Sequence, residues 1–191
     1  MRRVVFAISL LTVGACGGLP ALASNTFESD EGGWLLTGNG EVTSPILMRE
    51  GGNPGGHICG SDAKDGDTWY FVAPAKYLGN ATAVYGKRLI WDLKQNKVFN
   101  QIRGRDVVLN GGGLALTFNI RSAPGTDWTP YSVTIDDSSG WLNENNGAGV
   151  AATAADIKSV LRNLTSLRIR GEFYDGPNDS ACLDNVYFGT P

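Results

Sequence analysis

The chain has 191 residues, a formal net charge of −3 and a hydrophobic content of 42%. This length fits one domain, and 26 glycines with 8 prolines are typical of a β-rich protein with many turns. The charge gives no electrostatic basis for nucleic-acid binding, because a phosphate-binding surface normally shows a basic stripe and this sequence does not.

Residues 1–23 have the pattern of a secretory signal peptide. Arg2 and Arg3 precede an apolar stretch too short for a convincing membrane span, and Ala21 and Ala23 form a small-residue cleavage signal. We therefore predict export to the periplasm or the extracellular medium, with residues 24–191 as a mature domain that has no transmembrane segment. The alternative is that Cys16 completes a lipobox and becomes a lipid-anchored N-terminus.

The mature chain contains two cysteines, Cys59 and Cys182. An even pair in an oxidising compartment predicts a disulfide, which contributes roughly 4–5 kcal/mol across so long a loop in the chain-entropy model. The alternative is two buried free thiols. Zinc is not expected, because the sequence adds only one histidine, His57, to these two ligands.

Most of the mature chain reads as short strands. Between residues 68 and 74, Trp69, Phe71 and Ala73 alternate with their neighbours, which predicts a strand with one buried face that ends at Pro74. The pattern resumes at Leu89. Asp65-Gly66 is a hairpin-turn signal. The predicted strands cover 25–28, 34–36, 42–49, 68–74, 89–93, 106–109, 114–120, 131–135, 167–174 and 181–188.

One segment has helical spacing. Thr153 is a good N-cap residue, Asp156 stands in the capping-box position, and apolar residues recur from Ile157 to Leu164. We expect this helix to cover one end of the fold, because a one-sided helix of two turns needs an apolar neighbour. Short strands without βαβ alternation predict an all-β antiparallel sandwich, most simply a jelly roll.

Several motifs together resemble the laminin IV domain, also called the laminin B domain. The motif WYFVAPAKYLGN from Trp69 and YGKRL from Tyr85 resemble its central region. VLRNL followed by LRIRG resembles its helix and arginine-bearing strand, and LDNV from Leu183 resembles its closing strand. In laminins the domain lies among disulfide-rich repeats, whereas this sequence places it directly behind a short signal. A basement-membrane role is therefore not carried over.

The resemblance implies a jelly roll similar to galactose-binding and carbohydrate-binding modules, which often hold a structural calcium ion where the first and last strands meet. The matching residues are Glu28 and Asp184, and the loop at Gly52 and Asn53 is a candidate source of carbonyl ligands. The alternative is that Glu28 and Asp184 only cap strand ends.

Four residues are candidates for ligand contact. Trp128 and Trp141 lie in polar loop stretches, where an exposed indole can stack on a sugar ring. Arg168 and Arg170 share one face of a predicted strand and are candidates for a polar binding surface. The alternatives are that the tryptophans plug the ends of the sandwich and that the arginines pair with acids across strands.

These observations predict a secreted, non-catalytic module that binds extracellular carbohydrate or glycoprotein. His57 has no partner in a recognisable nucleophile motif, and no carboxylate pair stands out. The alternatives are a structural or adhesion domain that binds a protein through one face, and a polysaccharide hydrolase with paired carboxylates.

Overall fold

The computed structural model describes residues 21–38, 40–61, 68–176 and 178–190. Within these residues the chain forms two antiparallel sheets, one α-helix and three short 3-10 turns. The helix, α1, spans Ala154–Arg162. The strands are β1 Ala23–Asn25, β2 Leu35–Gly38, β3 Glu41–Thr43, β4 Ile46–Gly52, β5 Gly55–Ser61, β6 Tyr70–Val72, β7 Arg88–Gln95, β8 Val107–Gly111, β9 Leu114–Phe118, β10 Thr129–Thr134, β11 Leu142–Asn143, β12 Leu164–Arg170 and β13 Ser180–Thr190.

The two sheets form a sandwich. The six-stranded sheet has the order β10-β7-β13-β5-β4, and β1 also pairs with β13. The seven-stranded sheet has the order β11-β9-β8-β12-β6-β2-β3. Strands that follow one another in sequence repeatedly change sheets, as in a jelly roll. The predicted all-β antiparallel sandwich with one short helix is confirmed.

The core lies between the inner faces of the two sheets. Leu89, Trp91 and Leu93 of β7 face Phe71 and Ile169 of the other sheet's strands, and all five are at most 1% exposed. Complete burial of each such side chain stabilises the fold by roughly 1.5–3 kcal/mol. The period-two pattern in the sequence therefore identified the buried faces of both central strands correctly.

One close approach fixes the way β6 meets β12. A Cβ atom on Gly171 would overlap the indole ring of Trp69, which lies directly against this glycine. Gly171 N–H also donates to Trp69 O at 3.0 Å. A larger residue at position 171 would displace Trp69, and with it the neighbouring Tyr70, from its place in the sheet.

Helix α1 begins as the sequence predicts. Thr153 Oγ1 accepts a hydrogen bond from Asp156 N, and the Asp156 carboxylate accepts from Thr153 N, which completes a capping box. Ile157, Val160 and Leu161 are fully buried. The helix packs against β8 and β9, so it covers the seven-stranded sheet at its β9 side.

Several predicted strands were wrong in their bounds; the strand predicted at 167–174, for example, ends at Arg170. The segment 42–49 is not one strand: Pro45 lies between β3 and β4, which belong to different sheets, because proline has no N–H to continue a ladder. The first strand ends at Asn25, and Phe27 has a positive φ of 52° that breaks the extended path. The Asp65-Gly66 turn lies outside the described residues.

Residues 1–20, with most of the predicted signal peptide and Cys16, also lie outside the described residues. Ala23, the predicted cleavage position, pairs with Phe188 as part of β1. Among the residues that the structure describes, no helix is long and apolar enough to span a bilayer.

Candidate functional site

Cys59 and Cys182 form a disulfide on the outer face of the six-stranded sheet. They stand directly opposite each other on β5 and β13, with an S–S distance of 2.06 Å. The predicted pairing is confirmed. His57 lies close enough that its ring nitrogen and both sulfurs are within 4.8 Å of one another. Because both sulfurs are used in the disulfide, they offer no thiolate to a metal.

Trp128 covers His57 beside this disulfide. The two rings meet edge to face with centroids 5.2 Å apart, and Trp128 Nε1 donates to Gly51 O at 3.0 Å. Lys94 Nζ lies 4.4 Å from the centroid of the Trp128 ring and also donates to Gly51 O. Burial lowers the pKa of His57 to about 4, and the charge of Lys94 adds to this effect. The imidazole is therefore neutral at physiological pH. The hydrogen bond from Trp128 to Gly51 O holds the β4-β5 turn against the sheet.

The predicted calcium residues come together at this same turn. Asn53 N donates to Asp184 Oδ2 at 2.7 Å, and Gly56 N donates to Glu28 Oε2 at 3.2 Å. Two residues that sequence reasoning missed join them. Asp92 Oδ2 accepts from Asn53 Nδ2 at 3.0 Å and from Asn185 Nδ2 at 2.8 Å.

Oxygen atoms surround one point of the turn. A Cβ atom on Gly52 would lie 2.5 Å from Gly56 O, 2.7 Å from Gly55 O and 2.9 Å from Asp184 Oδ2. Asp184 is fully buried, and burial raises its pKa to about 6, with the charges of Asp92 and Glu28 adding to the rise. Carboxylates and carbonyl oxygens held together in this way are the donor set that Ca²⁺ prefers.

The arrangement limits how such a cation is held. Glu28, Asp92 and Asp184 do not all bring carboxylate oxygens within 4.8 Å of one another, so no single ion binds all three in this geometry. A calcium ion would take two carboxylates at most and complete its coordination with main-chain carbonyls or the Asn53 amide oxygen. The donor chemistry fits calcium on these terms.

A second candidate site is a groove on the outer face of the seven-stranded sheet. It has a volume of about 320 Å³. Tyr70 and Arg168 form part of its floor, and the guanidinium carbon of Arg168 lies 5.1 Å from the centroid of the Tyr70 ring. The remaining lining residues are Thr68, Gly104, Arg105, Val108, Ala115 and Thr117.

The sheet register places Arg168 in the middle of this floor. It stands opposite Val72 on β6 and Val108 on β8, with Thr117 of β9 opposite Val108. Arg168 Nε is buried and has no hydrogen-bond partner. Burial raises the pKa of Tyr70 despite the nearby arginines, so its hydroxyl is neutral at physiological pH.

Only Arg168 of the two predicted arginines reaches the groove. Arg170 is 5% exposed and is held by main-chain oxygens: its Nη1 donates to Gly104 O at 2.6 Å, and its Nε donates to Glu172 O. It also lies 4.0 Å from the buried carboxylate of Asp106. The expectation that Arg170 lines a binding surface was wrong, because the side chain is buried beneath these contacts and does not line the groove.

The two predicted tryptophans also differ. Trp141 is 1% exposed, its Nε1 donates to Thr134 O at 2.9 Å, and its ring packs on Phe118. The expectation of an exposed stacking platform was therefore wrong for Trp141, which fills the core as the alternative proposed. Trp128 is half-buried and lies at the six-stranded sheet, whereas Arg168 belongs to the seven-stranded sheet, so the two residues do not form one site.

The fold defines the class of the protein: an antiparallel jelly-roll sandwich with an open groove on one sheet. The human laminin alpha-2 L4b domain has this fold, with a TM-score of 0.67 and 11% identity over 90% of this chain and 98% of that one. A family 11 carbohydrate-binding module from Clostridium thermocellum has a TM-score of 0.51 and 16% identity over 86% and 93% of the two chains.

The model of the family described as laminin B (domain IV) matches residues 70–190, so this chain belongs to the laminin B (domain IV) family. Laminin subunit gamma-2 of Equus caballus is 34% identical over 128 residues, 66% of this chain. Laminin subunit gamma-1 of Homo sapiens is 25% identical over 174 residues, 85% of this chain. The chain spans about a tenth of the length of these relatives. Family membership confirms the resemblance and the non-enzymatic interpretation.

Proposed function

We propose that the domain is a secreted binding module that recognises extracellular carbohydrate or glycoprotein through the groove on the seven-stranded sheet. The observation that carries the proposal is the groove itself, which combines an aromatic ring, a guanidinium group and threonine side chains in about 320 Å³. A sugar offers an apolar ring face and a rim of hydroxyl groups, and this set of side chains can contact both.

The fold comparison supports this proposal. The family 11 module was solved in complex with a beta-1,3-1,4-mixed-linked tetrasaccharide, so a sandwich of this shape can bind an oligosaccharide. In the present chain, the outer face of the six-stranded sheet is occupied by the disulfide, the β4-β5 turn and Trp128. The groove on the seven-stranded sheet, with its volume of about 320 Å³, is an open surface on the opposite face.

A glycan array tests the proposal directly. Ala115 lies on β9 at the groove, and Ala115→Trp would fill the groove with an indole. We expect the wild type to bind at least one glycan class and Ala115→Trp to lose that binding. Ile90→Trp, on the outer face of β7 in the other sheet, is the matched control and should retain it. Equal binding by Ala115→Trp and the wild type would contradict the groove, and no binding by any variant would contradict carbohydrate recognition.

We also propose that a structural calcium ion binds at the β4-β5 turn through Glu28, Asp184 and the carbonyl oxygens near Gly52 and Asn53. The support is the set of oxygens around Gly52 and the raised pKa of Asp184. A divalent cation would coordinate oxygens of this kind and stabilise the ionised form of Asp184. In this role calcium supplies charge neutralisation and a rigid turn.

A second candidate function is binding to a protein partner. Val42 and Ile46 are 64% and 65% exposed on β3 and β4, which are edge strands of the two sheets, and Met48 continues the apolar surface. Exposed apolar side chains on neighbouring edges favour contact with another protein. Val42→Lys combined with Ile46→Lys should abolish pull-down of such a partner and leave glycan binding intact; partner capture that survives both changes would contradict this surface.

A further inference from the structure

The groove on the seven-stranded sheet contains an unused cationic donor. Arg168 Nε is buried and unpaired, although a buried N–H group normally has an acceptor. The residue stands between Val72 and Val108, whose apolar side chains supply none. Its guanidinium lies against the Tyr70 ring and lines the groove, so the two Nη groups, which are not among the buried unpaired atoms, are the donors that a ligand can reach.

The other charges around the groove are matched in pairs among the described residues. Arg105 Nη2 lies 3.0 Å from Glu144 Oε2, and Thr117 Oγ1 donates to the other oxygen of the same carboxylate at 2.7 Å. Arg170 faces Asp106, whose oxygens also accept from main-chain N–H groups. Arg168 also lines the groove, but it has no acidic partner in these pairs.

We infer that the groove selects acidic saccharides, with Arg168 binding the carboxylate of a uronic acid residue. This inference rests on the proposed function and names the ligand class of the same site. A guanidinium presents parallel N–H donors that match the two oxygens of a carboxylate, and the two Nη groups of Arg168, which are not among the buried unpaired atoms, form such a pair at the groove. Thr68 and the Tyr70 hydroxyl lie beside it for the sugar's own hydroxyl groups.

The surroundings of Arg168 strengthen this pairing. The valines on either side and the Tyr70 ring exclude water from one side of the guanidinium, which raises the strength of a charged hydrogen bond relative to one in bulk water. The same contacts hold the side chain in place, so less rotational freedom is lost on binding. A hydrogen bond to a charged group contributes about 1.5–3 kcal/mol, which corresponds to a roughly tenfold to hundredfold preference in affinity.

The test compares tetragalacturonate with the same oligosaccharide after its carboxyl groups are reduced to primary alcohols, by titration calorimetry on the full chain. We expect the wild type to bind the acidic form about tenfold to a hundredfold more tightly. Arg168→Gln should remove the preference, and Arg168→Lys should retain only part of it, because lysine keeps the charge and loses the planar fork. Arg162→Gln, on the exposed last turn of α1, is the matched control and should keep the full preference.

The outcomes separate this inference from the proposed function. Equal affinity of the wild type for both oligosaccharides would overturn the acidic preference and leave carbohydrate binding standing. A preference that persists in Arg168→Gln would overturn the assignment to Arg168. Absence of binding to either form, together with an empty glycan array, would overturn both. Thermal unfolding checks that each variant is folded, and we expect it to be, since Arg168 makes no hydrogen bond through Nε that the fold would lose.

Discussion

The outer faces of the two sheets are used in different ways. On the six-stranded sheet, the disulfide, the carboxylates of Asp92 and Asp184, and the ring of Trp128 cover the surface and join the β4-β5 turn to β13. On the seven-stranded sheet, residues that face outward line a groove. Arg168 is one of them, and its buried Nε has no hydrogen-bond partner. One face therefore stabilises the fold, and the other is available to a ligand.

The largest expected effect is on the covered face. Replacing both Cys59 and Cys182 with alanine should lower the free energy of unfolding by roughly 4–5 kcal/mol in the chain-entropy model, because the bond closes a loop with a sequence separation of 123. Denaturant unfolding measures this loss. Glycan affinity, measured where the variant is still folded, should not change; an equal loss of affinity would show that the two faces are not independent.

Calcium removal should act on the same face with a smaller effect. Chelation should lower the free energy of unfolding by about 2.7 kcal/mol relative to a solution with free calcium a hundredfold above Kd. Differential scanning calorimetry with and without chelator measures this change. Asp184→Asn should abolish the response, and Asp127→Asn, an exposed loop carboxylate, should retain it. A wild-type melting temperature that chelator leaves unchanged would contradict the calcium site.

The capping box of α1 belongs to neither outer face and gives a reference for local effects. Thr153→Ala should cost about 1 kcal/mol, because it removes the acceptor for Asp156 N. The hydrogen bonds from Thr153 N–H and Oγ1 hold the pKa of Asp156 below its usual value of 3.8. Their contribution is therefore complete above the unfolded pKa and is lost as pH falls through the lower folded pKa.

Urea unfolding at pH 7 and near pH 3 measures this contribution. The difference between the wild type and Thr153→Ala should shrink at the lower pH, whereas Thr126→Ala, in an exposed loop, should show no such change. A difference that grows on acidification would contradict the sign.

The smallest stability effect is expected on the open face. Glu144→Gln removes the carboxylate that pairs with Arg105, and since Arg105 is 61% exposed, the free energy of unfolding should change by less than about 1 kcal/mol. Removal of this negative charge should nevertheless tighten binding of tetragalacturonate, by calorimetry at low salt. Loss of acidic-saccharide binding in Glu144→Gln would show that Glu144 contacts the sugar itself.

The sequence predicted the fold well where burial has a simple period. Trp69, Phe71 and Ala73 recur at every second position of their strand, and the N-cap at Thr153 is a local signal, so neither prediction depended on long-range contacts. Cys59 and Cys182 were paired by parity. Residues 42–49 were predicted as one strand through Pro45, because a local pattern does not show that the chain crosses to the other sheet.

The site was harder to predict because its parts come from distant segments. Asp92 and Asn185 look like ordinary strand residues, and only the pairing of β7 with β13 brings them beside Asn53. Tyr70 was correctly placed opposite the core face, yet nothing local shows that it meets Arg168. The polar neighbours of Trp141 suggested exposure, but the carbonyl of Thr134 satisfies its indole N–H inside the protein.

The position of β13 has a consequence for the order of folding. This strand lies at the centre of the six-stranded sheet, where it pairs with β1, β5 and β7, and it also supplies Cys182 and Asp184. Until residues 180–190 have been synthesised, β5 and β7 have no strand between them and Cys59 lacks its disulfide partner Cys182. We therefore expect a nascent chain that stops before residue 180 to remain open to thiol reagents at Cys59, and the sandwich to close late, after translation has passed β13.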